Sequence, residues 1–474
     1  MSALDTDVSD VCVIGGGLAG LSAALCASDA GCRVTVLEQG EAEHYPCNSR
    51  YAGGMFHLAF LDMTLPAAEF ARRLRDKCPS DLNRDLVAAI GVRARETILW
   101  LVKRVGARFI HAGPEPWQKY CIAPPRPMRS GLVWSGRGPD VLLRHLTAAL
   151  RVAGGQLCRG ATVTTLTPLS DGTYRVGYRS ALSEHDLKAR AVIVADGGFH
   201  ADPDKLAAFV APEPSRVLQR NAGTAVGLGL ELARSLGARL SRLDRFYGHL
   251  QSVDALRNPR LWPYPTVDDL AAAGITVGAD ARRFFDEGKG GVFAANAVAG
   301  SKEPQAYVIF DQTVWESVGR NTRIVPCNPF LEEAGGTLHR ADTVERVAEV
   351  SGLNPIALAQ TVKQFNAAEF SVARSGGKFG HRPIVTPPFF CLPVCAAITY
   401  TMGGLCVTTD AAVISEAGRP IPGLYAAGST VGETEGGDDV FYLGGLVKAA
   451  VLGRIAGESA SQHCRNARID ETFA

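Results

Sequence analysis

Three glycines near the start of the chain have the spacing that lets a backbone hold a phosphate. Val11-Cys12-Val13-Ile14 is a short apolar run of strand-forming residues, suited to a buried parallel strand. It leads directly into Gly15-Gly16-Gly17-Leu18-Ala19-Gly20, then into LSAALCASDAG, which has helical periodicity and ends at Gly31. RVTVLEQG follows as a second strand closed by Glu38. Gly15 allows the tight turn, Gly17 lets the backbone approach a pyrophosphate, and Gly20 lets the helix pack closely on the sheet. The helix N-terminus offers free N–H donors and the positive end of its dipole. Glu38 stands where a ribose diol would lie. A glycine-rich surface loop can share the bare spacing. The order strand, turn, helix, strand, acid is what identifies a dinucleotide site.

Asn48-Ser49-Arg50-Tyr51-Ala52-Gly53-Gly54-Met55 follows the second strand, and it resembles the loop that wraps the FAD pyrophosphate in the fumarate reductase and 3-ketosteroid dehydrogenase group of flavoproteins. ARAVIVADGGFHAD (189–202) and NAGTAVGLGLELARSLGARL (221–240) are similar to its returning strand and second glycine-rich helix start. GGLCVTTDAAVISEAGRPIPGLYAAGSTVG (403–432) and Gly453-Arg454-Ile455-Ala456-Gly457 resemble its C-terminal signature and last helix. The resemblance covers nearly the whole chain. It implies FAD as cofactor, with contacts from Gly15, Gly17, Ala19, Gly20, Glu38, Gln39, Asn48, Ser49, Gly53, Gly54, Val163, Asp196, Gly197, Gly428, Ser429, Gly445 and Leu446. Members with covalent FAD carry a histidine before the loop. Cys47-Asn48-Ser49 stands there instead, which implies non-covalent FAD.

The substrate side departs from the fumarate reductase pattern. That group places a histidine before its TMGG run, an arginine before its late LGG run, and a proton-delivering arginine after an RFVNE-like segment. Here Tyr400 and Tyr442 hold the first two positions, and Arg282-Arg283-Phe284-Phe285-Asp286-Glu287 is followed by Gly288-Lys289-Gly290-Gly291. Two tyrosines suit a ketone. One phenol donates a hydrogen bond to the carbonyl oxygen and acidifies the α-hydrogen, and a second, with a lowered pKa, removes the α-proton. Tyr442 resembles the ketone-binding tyrosine of 3-ketosteroid dehydrogenases, whose base would fall near Gly291. Tyr400 is the first substitute for that base, with Tyr120 and His249 behind it. The plainer reading of each tyrosine is a core aromatic with a satisfied hydroxyl. YPTVDDLAAAGITV and the DEG wording after RRFF are similar to the tricarballylate dehydrogenase branch, which desaturates a polycarboxylate. Arg126 and Arg129 are then candidates for a carboxylate clamp, with Gly445 beside the substrate. Arg137 is a further candidate with an equally good structural reading. A substrate with a ring ketone and a carboxylate, such as an oxocyclohexane-carboxylate, reconciles tyrosines with arginines.

The elements that must position these groups form an α/β protein, a discontinuous Rossmann-like FAD-binding domain with an inserted α+β capping domain. The expected division is 1–248 and 376–466 for the FAD domain, 249–375 for the cap, and 467–474 as a mobile tail. The chain has 474 residues, 46% of them hydrophobic and 20% charged, an ordinary soluble composition. A net charge of +1 gives no electrostatic case for nucleic acid. No signal peptide opens the chain, and no apolar run approaches the roughly 20 residues of a membrane span, so a cytoplasmic enzyme without membrane insertion is expected. The twelve cysteines include no CxxC pair and read as buried small hydrophobes, not metal ligands. The expected reaction is FAD-dependent desaturation next to the carbonyl of a small ketone or keto acid, with oxygen or another electron acceptor as partner. The alternatives are reduction of an activated double bond, polycarboxylate dehydrogenation, and an FAD-binding subunit without catalysis.

Overall fold

The structure, a computed structural model, describes residues 9–127, 129–181, 183–302, 305–322, 324–369, 374 and 377–473. Strand β1 (Ser9–Ile14) is buried along its whole length, as its apolar sequence requires in the middle of a sheet. It pairs in parallel with β2 (Val34–Glu38) on one side and with the strand Ser183–Val194 on the other. The eight-stranded sheet continues outward in parallel to Gln156–Arg159 at one edge and Pro420–Ala426 toward the other. A meander, Ala161–Pro168 and Tyr174–Ser180, hangs from Ser183–Val194.

Helix α1 (Leu18–Asp29) and the final helix, Gly445–Phe473, pack against each other and both lie on this sheet. The two helices approach closely because glycines line the crossing. A Cβ at Gly453 would fall 2.3 Å from the Ala19 carbonyl oxygen, and one at Gly457 would fall 2.4 Å from that of Ala23. The final helix runs through Phe473, into the segment expected to be a tail, and Arg468 ties it back to Asp10 on β1. Ala474 and residues 1–8 lie outside the described residues.

The second sheet is six-stranded and built around Phe389–Thr401, which pairs antiparallel with Phe246–Ser252 and Ala306–Asp311. Its own core contains Phe246, Leu250, Phe310, Phe390 and Leu392. The division expected at 376 lies outside the described residues. The strand beyond it belongs to the second sheet, so this layer takes in both Phe246–Ser252 and Phe389–Thr401. The thirteen positions from Phe389 onward are buried almost without a break, as a central strand requires, and its antiparallel partners are Phe246–Ser252 and Ala306–Asp311. No helix among the described residues is long and apolar enough to cross a membrane.

Candidate active site

The glycine turn is as close-packed as its sequence implies. Gly15 has φ +102°, and a Cβ there would sit 2.7 Å from the Ala195 carbonyl oxygen. One at Gly20 would fall 1.9 Å from the Gly15 oxygen, so no other residue fits. At Gly17 the nearest atom to a Cβ is Ser49 Oγ at 3.4 Å, which leaves the N-terminus of α1 open. Leu18 N–H donates to Ser49 Oγ (3.0 Å), joining the turn to the Asn48–Tyr51 loop.

Glu38 braces the turn: the N–H groups of Gly16 and Gly40 each donate to it at 2.7 Å. Burial raises its pKa. A cleft opens beside it, lined among others by Gly15, Gln39, Val163, Asp196 and Thr224. Asp196 takes the Gly229 N–H on Oδ2 (2.8 Å), while Oδ1 has no hydrogen-bond partner. Burial pushes the Asp196 carboxyl up to about 6. Gly54, Gly197 and Gly428 adopt positive φ, as their places in tight turns require. Asn48 bridges the two halves, donating to the Thr399 carbonyl (2.8 Å) and accepting from Ala222 N–H (2.9 Å). Gly53 has open space around its Cβ position, and Ser429 Oγ lies 3.6 Å from that of Gly197. An open helix N-terminus, a long cleft and an unpaired buried carboxyl oxygen fit a dinucleotide.

The two late tyrosines meet where the halves join. Tyr400 and Tyr247 are partners across the strands Phe389–Thr401 and Phe246–Ser252, their rings 5.4 Å apart. Tyr442 stacks on Tyr247 with centroids 4.0 Å apart and planes 13° from parallel. His57 closes one side of Tyr442, edge-on at 5.7 Å, backed by Phe60 and Trp117. Beneath them lies a buried ion pair, Lys448 with Glu435. Glu435 Oε1 also accepts from the N–H groups of Leu443 (3.0 Å) and Gly444 (3.2 Å) and from the Tyr400 hydroxyl (2.9 Å).

This environment does not supply the lowered pKa that the expected role of Tyr400 calls for. Burial, and then the negative charge of Glu435, hold its phenol well above its ordinary pKa, so the lowered value a base needs is absent. Tyr442 is raised as well, by burial and by its tyrosine and glutamate neighbours. Both are neutral phenols at physiological pH.

The remaining candidates separate by surroundings. Tyr120 packs on Phe109 (6.0 Å) in the cofactor half, away from the stacked tyrosines. Arg129 is exposed, and Arg137 begins the helix Gly138–Val152. Arg126 is 7% exposed and donates to the Tyr51 carbonyl (2.6 Å) and the Tyr264 hydroxyl (3.1 Å). Arg220, which the sequence did not single out, faces the same Tyr264 ring at 4.9 Å and donates to Thr399 Oγ1 (3.2 Å). Among the described residues neither guanidinium has a carboxylate in ion-pair range. Gly445 touches Tyr400, since a Cβ there would be 3.3 Å from the hydroxyl, and Leu446 follows it into the final helix. His249 sits two residues beyond Tyr247, its ring 5.3 Å away.

A family described as "FAD binding domain" matches residues 10–440. The chain belongs to this FAD-binding family. It is 25% identical over 477 residues to a probable fumarate reductase of Shewanella frigidimarina, covering 97% of this chain and 76% of that protein. It is 26% identical to urocanate reductase of Eggerthella lenta, with 97% and 75% covered. The fold matches that of 3-ketosteroid-Δ4-(5α)-dehydrogenase from Rhodococcus jostii with a TM-score of 0.71 at 22% identity, over 97% of this chain and 98% of that one. This flavoprotein is therefore an FAD-dependent oxidoreductase acting on carbon–carbon bonds, with the mixed α/β architecture expected of it.

Proposed function

We propose that this flavoprotein desaturates a small ketone or keto acid next to its carbonyl. The carrying observation is the neutral, stacked pair Tyr442–Tyr247 beside two guanidiniums without acidic partners. A neutral phenol donates to a carbonyl oxygen and stabilises the charge that develops on it. Tyr442 takes that role. Arg126 and Arg220 hold a carboxylate at the other end of the substrate, and the buried setting strengthens that attraction. The aromatic walls suit a ring.

The glycine turn, the N-terminus of α1 and the cleft beside Glu38 and Asp196 would hold FAD, without a covalent link. When bound, it supplies the hydride acceptor. The Asn48–Gly54 loop and Gly445 close around the flavin end. Oxygen or another acceptor would then take the electrons from the reduced enzyme.

The second reading runs the chemistry backward, as reduction of an enoate. The unpaired arginines favour it equally, and the fumarate and urocanate reductases among the relatives support it. Anaerobic addition of 4-oxocyclohexane-carboxylate to the FAD-loaded enzyme separates the two. Bleaching of the oxidised flavin band near ~450 nm is expected from desaturation. A flavin that stays oxidised with the saturated keto acid, but is reoxidised by fumarate or urocanate after dithionite reduction, overturns the first reading.

A further inference from the structure

We propose that His249 and Asp268 form the proton-transfer dyad of this site, with His249 Nε2 as the atom that takes the substrate's α-proton. This rests on the reading of the site as one for carbon–carbon chemistry beside a carbonyl, and it supplies the base that the raised tyrosines do not.

Asp268 opens the short helix Asp268–Ala273, and its carboxylate is held from two directions. Oδ2 lies 2.5 Å from His249 Nδ1, and Oδ1 accepts the Leu250 N–H at 2.8 Å. A carboxylate on Nδ1 keeps the proton there and leaves the Nε2 lone pair free; it also stabilises the imidazolium once Nε2 is protonated. Among the described residues Nε2 makes no hydrogen bond, and it is not one of the sealed, unpartnered buried atoms. It is open to a ligand. His249 and Tyr247 stand two apart on one strand, and Tyr247 carries Tyr442 on its face. The base and the carbonyl donor are thus neighbours.

A second observation concerns the room the carboxylate occupies. The helix Gly291–Ala299 begins against Asp268, and a Cβ at Gly291 would fall 2.2 Å from Asp268 Cγ. Any side chain at 291 would drive the carboxylate off His249. Position 291 is also where the resemblance to 3-ketosteroid dehydrogenases puts their base. In this chain that side chain is missing, and the carboxylate supporting a different base fills its volume.

In the forward direction the α C–H bond breaks. Its proton goes to Nε2 and its electron pair moves into the carbonyl held by Tyr442. That pair then returns from the enolate oxygen to form the carbon–carbon double bond as the β-hydrogen departs as hydride, which FAD held at the glycine turn would accept. In reverse, the protonated imidazole returns the proton.

The test uses FAD-loaded His249→Ala and Asp268→Asn, with 4-oxocyclohexane-carboxylate as probe under anaerobic stopped flow. His249→Ala should slow flavin reduction by ~10²-fold, and added imidazole should restore about tenfold. Asp268→Asn should also be slow, without rescue. A wild-type rate in His249→Ala, or a loss that imidazole leaves untouched, overturns the dyad. If the wild-type flavin is not bleached, the desaturation reading fails. The same variants then test the dyad as proton donor, through reoxidation of dithionite-reduced enzyme by fumarate or urocanate. A readout independent of turnover is diethyl pyrocarbonate labelling read by mass spectrometry. His249 should be carbethoxylated in the wild type and more slowly in Asp268→Asn. An unlabelled His249 in the wild type overturns the proposal.

Discussion

Replacing Lys448 by methionine removes one charge from the buried pair beneath the tyrosines and leaves the other. Lys448 and Glu435 side chains are 1% and 0% exposed, so water cannot compensate the carboxylate that remains. Breaking such a pair from one side costs about 3–5 kcal/mol. Methionine keeps most of the apolar stem, which confines the loss to the charge and its hydrogen bonds. With an unfolding entropy of about 2.1 cal/mol/K per residue, a 474-residue chain melting as one unit would lose about 4 °C. Thermal melts of the FAD-loaded protein measure this. Adding Glu435→Gln removes the orphaned charge while keeping acceptors for the Tyr400 hydroxyl and the Leu443 and Gly444 N–H groups. The double variant should recover at least half of the loss. A single variant that melts with the wild type, or a double variant that melts below the single, refutes the reasoning.

Gly453→Ala puts a Cβ 2.3 Å from the Ala19 oxygen and pushes α1 away from the final helix, at about 1–3 kcal/mol. FAD affinity, measured by flavin fluorescence titration, should fall with it, and unchanged affinity counts against the coupling of that crossing to the turn. Buried His200 is held down to about 4 and Asp196 up to about 6, both by burial. The histidine makes the apoprotein lose stability as pH falls from 6.5 toward 4, while the aspartate makes it lose stability as pH rises from 3.8 toward 6, so the two offset each other. Asp196→Asn should therefore lose about 2 kcal/mol more than wild type between pH 6 and 4, read from urea midpoints; parallel curves would contradict this. Tyr442→Phe should cut flavin reduction by the keto acid by ~10²-fold, whereas Tyr400→Phe, whose hydroxyl is turned to Glu435, should cut it less. A larger loss in Tyr400→Phe would mean that its hydroxyl reaches the substrate.

The cofactor half was legible because its constraints are local. Gly20 stands 1.9 Å from a carbonyl once a Cβ is added, and only a glycine at that spacing answers the demand. Tyr442 and His249 were legible from their places in the chain. Tyr247, Arg220, Glu435, Lys448 and Asp268 were not, because pairings between distant segments bring them in. Tyr247 meets Tyr400 only through the register of two strands about 150 residues apart, a spacing no periodicity reveals. Asp268 in VDDLAAA reads as an ordinary acid at a helix start. Arg126 and Arg129 look alike in PPRPMRSG, and burial alone separates them. The missed signal was Gly291, a glycine at a helix start with no turn to explain it.

The final helix touches Tyr400 through Gly445, crosses α1 at Gly453 and reaches β1 through Arg468. The nucleotide cradle at residues 15–20 is therefore backed by residues more than 400 positions further along the chain. During synthesis the glycine turn emerges hundreds of residues before the helix that backs it, so the cradle gains that backing only once the chain has been made through Gly453 and Gly457. Shortening the helix from its far end would loosen the cradle first and the tyrosine site only afterwards.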